Sequence, residues 1–130
     1  MPYLPVVARF LLGLIFVIMG SNKFLNFISM PSPPESARLL LSALSQTGYF
    51  FQFQGSLEVT IGVLLITRFY VPLSLVMIFP LAIQIFLFHF FLDHNGLPLA
   101  VIVLGLDLYL GWIYRRSYQG LLQSRVDYLN

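Results

Sequence analysis

The chain has 130 residues and a formal net charge of +2, with 58% hydrophobic and only 9% charged residues and a mean hydropathy of +0.87. A water-facing domain carries about 25% charged residues, so this composition excludes an ordinary soluble surface and predicts one all-α integral membrane domain, 1–130. The absence of cysteine excludes thiol redox chemistry and thiolate metal sites, and so small a net charge excludes a nucleic-acid-binding patch.

A spanning helix needs about 20 mostly apolar residues. The first predicted span covers about 3–30, with "FLLGLIFVIMG" at its centre, and no cleavable signal peptide is expected in it. Arg9, Gly13, Phe16, Gly20 and Lys23 form one stripe along it. Its two glycines permit close helix contact, and the stripe turns Lys23 into the bundle.

The segment 33–47 is too short and too polar to span. "SPPES" predicts a capping box at Ser32 and Glu35 with proline at the first helical position. Ala37, Leu40, Leu41 and Leu44 then fall on one face, and Gly48 predicts the stop. Two readings stand for this helix: an anchor on the membrane surface, or a lid over the bundle mouth.

The second predicted span covers about 49–67 and carries Gln54, Glu58 and Gly62 at four-residue spacing. The third, about 70–92, contains Pro80 at mid-span, where a kink is expected. The fourth covers about 98–114, with Asn95 as its expected cap. Four spans put both termini and the 67–71 turn on one side. That side holds Arg9, Arg68, Arg115, Arg116 and Arg125, against Lys23 and Arg38 on the other. Cytoplasmic loops collect Lys and Arg, so both termini are expected in the cytoplasm. Arg115 and Arg116 suit contact with anionic lipid at the membrane edge.

Ionisable residues inside a span are functional candidates. Glu58 and Asp107 lie nine residues in from the outer ends of their spans and Gln84 nine residues from Asp93, each roughly 13 Å deep. Lys23 and His89 lie nearer the surface. Lys23 is the expected partner of Glu58, with Asp107 competing for the same cation or carrying a proton. The pair serves either to fix which helices face each other or as a ligand or proton site. His89 and Asp93 are spaced to hydrogen-bond, and no metal or haem site is expected from so few ligands on one rim.

The stretches "RFLLGLIFVIMGSNKF" (9–24), "GYFFQFQGSLEVTIGVLLITRFYVPL" (48–73), "FHFFLDHNGLPLA" (88–100) and "YRRSY" (114–118) together resemble the DoxX family of small four-helix bacterial membrane proteins. Gly20-x-x-Lys23, Glu58-x-x-x-Gly62 and Phe88-His89 carry most of the likeness. The resemblance implies a four-helix bundle in the bacterial inner membrane and a link to quinone-linked oxidoreductase systems. The layout is also similar to sterol-binding membrane proteins and to vitamin-K-epoxide-reductase-like proteins, the latter with a cysteine chemistry that this chain cannot perform.

Three functions are open on this footing. The first is an accessory or binding subunit holding a quinone- or lipid-like ligand, with Lys23, Glu58, Gln84, His89 and Asp107 as site candidates. The second is a quinone-linked oxidoreductase in its own right, although no flavin, haem, iron–sulfur or nicotinamide motif is visible. The third is a structural or assembly factor with no ligand. A membrane or redox protein partner, or a second copy of the chain, fits each of them.

Overall fold

A computed structural model describes residues 3–26 and 32–125. Among them there are five α-helices and no strand: α1 (Leu4–Leu25), α2 (Glu35–Gln46), α3 (Phe50–Thr67), α4 (Val71–Phe91) and α5 (Leu97–Ile113). Short 3₁₀ turns at His94–Gly96 and Arg115–Tyr118 flank α5. Four helices are long and apolar enough to cross a membrane: α1, α3, α4, and α5 together with the turn before it.

The helix ends follow local chemistry. Asn26, Arg68 and Tyr70 take left-handed backbone, at φ 50°, 68° and 53°, and mark the end of α1, the end of α3 and the start of α4. Gly48 closes α2 at φ 83°, where a side chain would be strained. Residues 27–30 of the first expected span lie outside the described residues. Pro80 lies inside α4, which runs on through it.

Two expected caps are corrected. Pro33 and Pro34 precede α2 rather than entering it, and no side chain caps its start. The second proline has φ −57° and ψ 161°, an extended conformation that delays the helix to Glu35. Asn95 does not cap α5. The Asp93 side chain instead accepts from the Asn95 backbone N–H at 3.2 Å and organises the turn, because aspartate bonds readily to a backbone two residues on.

α1 packs chiefly on α3, and α4 on α5; weaker α1–α5 and α3–α4 contacts close the ring. Successive helices therefore run antiparallel around the bundle. One end carries α2 and the 92–96 turn. The other, the termini end, carries the start of α1, the 68–70 turn and the residues after Ile113. The core is a thin line of Leu12, Phe16, Ile61, Leu65, Ile78 and Leu110, each at most 2% exposed. Leu14, Ile18, Val63, Leu87, Ile102 and Leu108 are exposed, so the outer faces are as apolar as the core. Such a surface matches a hydrocarbon solvent rather than water.

Candidate functional site

The α1–α3 seam positions the site. An added Cβ on Gly62 would lie 2.6 Å from the Gly13 carbonyl oxygen, and one on Gly20 would lie 2.8 Å from that of Gly55. The two backbones thus touch at two levels one heptad apart, a contact only glycine allows. Side chains on a helix tilt toward its N-terminus. In an antiparallel pair, Lys23 therefore leans toward the bundle centre while Glu58 leans out toward the α2 end, and the two meet. The Lys23 ammonium is 3.0 Å from both Glu58 oxygens and donates to Oε2, while Oε1 receives no well-directed hydrogen bond. The Glu58 side chain is 2% exposed and that of Lys23 19%.

The same tilt carries Arg9, near the start of α1, toward the termini end. Its guanidinium donates to the carbonyls of Leu65 and, at 3.1 Å, Ile66. These belong to the last turn of α3, where carbonyls lack partners within the helix. Arg9 is only 4% exposed, and a cation there also meets the negative end of the helix dipole. On sequence Arg9 counts only as one residue of the stripe and one charge for orientation. Its capping role depends on a neighbouring helix and has no local signature.

A cavity of about 200 Å³ opens beside the ion pair at the α2 end. Lys23, Glu58, Gln84 and His89 all line it, so four of the five candidate residues come together from α1, α3 and α4. Leu40, Leu41 and Leu44 of α2 form a roof, and Phe50, Phe51 and Phe88 supply aromatic walls. The α2 stripe thus faces the cavity, while Arg38 and Ser45 are exposed. Gln54 lies one turn before Glu58 and close enough to act on its carboxylate.

His89 is held by its loop. Its Nδ1 is 3.0 Å from the backbone carbonyl of Asp93, so the two residues hydrogen-bond as their spacing suggests. A carbonyl only accepts, so Nδ1 carries the proton, and Nε2 of the neutral ring is left as an acceptor. The ring lies directly against Gly96, where there is no room for a Cβ.

Asp107 does not join this group, which corrects the expectation that it competes for Lys23. Equal sequence depth does not set which face of α5 it occupies. It lines a separate crevice between α4 and α5 at the termini end, 3% exposed, with Oδ1 unpartnered. Ser74 on α4 is also fully buried with no hydrogen-bond partner for its hydroxyl. Among the described residues, no three acidic or histidine side chains converge as metal ligands would.

Comparison with protein-family models, with curated proteins and with solved structures finds no match to this chain. Fold and site therefore define a class on their own. This is a protein whose described residues are all-helical, with four helices fit to cross a membrane and a part-buried ion pair beneath a roofed cavity.

Proposed function

We propose that this chain is a DoxX-like protein of the bacterial inner membrane, with both termini in the cytoplasm. In this reading it is an accessory or binding subunit of an oxidoreductase system and holds the polar head of a quinone- or lipid-like ligand in the α2-end cavity. One observation carries the reading: that cavity combines a part-buried ion pair with Gln84 and His89 between aromatic walls and a leucine roof. A ligand carbonyl would find donors in the Lys23 ammonium and the Gln84 amide. A ligand hydroxyl would find acceptors in Glu58 Oε1 and His89 Nε2. A cavity of about 200 Å³ is smaller than the roughly 300–1,000 Å³ of whole drug-sized sites. It suits a head group whose tail stays in lipid. The orientation rests on Arg9, Arg68, Arg115, Arg116 and Arg125 gathering at the termini end.

The test is mass spectrometry of lipids extracted from the purified protein and from the Lys23→Met/Glu58→Gln double variant. An isoprenoid quinone or other single neutral lipid enriched with the wild type and lost from the folded variant is the expected result. Equal lipid profiles from the two would refute the reading.

A further inference from the structure

The α4–α5 crevice has about 340 Å³ of space, within the usual range of small-molecule sites. Its walls are apolar, from Leu75, Phe79, Leu108 and Trp112, and one carboxyl, that of Asp107, stands among them. A buried polar group without a partner costs about 1–3 kcal/mol, and a charged one more. The nearby polar side chains do not relieve it. The Tyr118 hydroxyl donates to the Pro72 carbonyl at 2.9 Å. Arg115 donates to the Trp112 carbonyl at 2.9 Å and lies over the Trp112 ring, 4.3 Å from its centroid. Both are engaged elsewhere, and together they frame the crevice mouth at the termini end.

We propose that this crevice is a second binding site, separate from the Lys23–Glu58 cavity, and that it takes a neutral lipid-soluble alcohol or phenol with its hydroxyl on the Asp107 carboxyl. The charges select this class. The Arg115 guanidinium in the wall opposes a cationic ligand, and Asp107 opposes an anionic one. A hydroxyl suits the carboxyl in either protonation state, since the ionised and the neutral form both keep an oxygen that accepts from it. The ligand's ring lies between Phe79 and Trp112, and its tail leaves along the exposed Val76 and Leu108 toward lipid.

Trp112 is the sole tryptophan of the chain and lines this crevice with one side exposed, so its fluorescence reports on the crevice and on the surrounding lipid. The protein in lipid nanodiscs is titrated with 3-bromo-4-dodecylphenol, whose bromine quenches on contact, and with its methyl ether, which cannot donate. Simple partitioning gives quenching that rises without saturation for both. The site adds a saturable component for the phenol, roughly tenfold tighter than for the ether, as loss of one hydrogen bond implies. Asp107→Asn, which keeps an acceptor, retains this component, and Asp107→Leu abolishes it while the helical circular dichroism is unchanged. Equal quenching by phenol and ether on the wild type overturns the proposal, and that arm needs no variant. Saturable binding that survives Asp107→Leu overturns it as well. Displacement of the phenol by dodecylammonium at lower concentration than by dodecanol would reject a hydroxyl site in favour of a cation site.

Discussion

The α1–α3 seam and the α4–α5 seam use their glycines in opposite ways. Gly13, Gly20, Gly55 and Gly62 interlock, each with facing backbone or side-chain atoms closer than an ordinary Cβ tolerates. Gly105 and Gly111 of α5 face open space, and Gly111 lines the crevice. The first seam brings backbones together and so aims the buried Arg9 and the half-buried Lys23 at partners on α3. The second leaves a gap and a carboxyl oxygen without a partner. A glycine in a helix is therefore informative only through what faces it.

The largest test concerns the ion pair of the tight seam. Lys23→Met should destabilise the protein in detergent by about 3 kcal/mol, because it leaves Glu58 buried without its cation. Combining it with Glu58→Gln should recover much of that loss, read by thermal unfolding in a double-mutant cycle. Strict additivity would show that the pair is not coupled.

Next in size is the backbone contact itself. Gly62→Ala should cost about 1–3 kcal/mol, since the Gly13 carbonyl and the Val17 backbone N–H at 2.8 Å cannot yield as a side-chain tip would. Gly105→Ala on the open face should leave stability unchanged or raise it by up to about 1 kcal/mol. Equal losses at both positions would erase the distinction between the seams.

A smaller effect is expected at Gly96→Ala, which removes the seat of the His89 ring. The ring should leave the Asp93 carbonyl at a cost of about 1 kcal/mol, the worth of one hydrogen bond. Nitrogen-15 NMR of the His89 side chain should show loss of the fixed Nδ1–H tautomer. An unchanged tautomer would mean that Gly96 does not seat the ring.

The smallest effect is at the termini end. Burial, then the Asp107 carboxylate and Tyr114, push the Tyr118 phenol above its ordinary value of 10.0. The folded protein thus favours the protonated form that donates to Pro72. That contribution is complete below pH 10 and is lost as pH rises through the folded value. Tyr118→Phe should remove a small alkaline step from the unfolding temperature. A step that persists in Tyr118→Phe belongs to another group.

The four long helices were legible because run length and composition act locally, and their observed ends fall within one residue of the expected ones for α3, α4 and α5. The Lys23–Glu58 approach was legible for a related reason. The 4–3–4–3 spacing of Arg9, Gly13, Phe16, Gly20 and Lys23 already names one face, and a charge on an interior face requires a partner. The start of α2 and the cap before α5 were misread, because several residues in each stretch can satisfy the same orphan N–H groups and only the chain path selects among them.

What the sequence determined by itself was the set of apolar helices, the glycine stripe and the need of Glu58 for a cation, all consequences of spacing along one chain segment. Tertiary structure alone decided that Arg9 caps α3, that Gln84 and His89 join Lys23 and Glu58 under the α2 roof, and that Asp107 stands apart in its own crevice. Depth along a helix axis is additive in residues and can be read from sequence. Azimuth and neighbour are not, because the rotation of each helix is set by the packing of all the others.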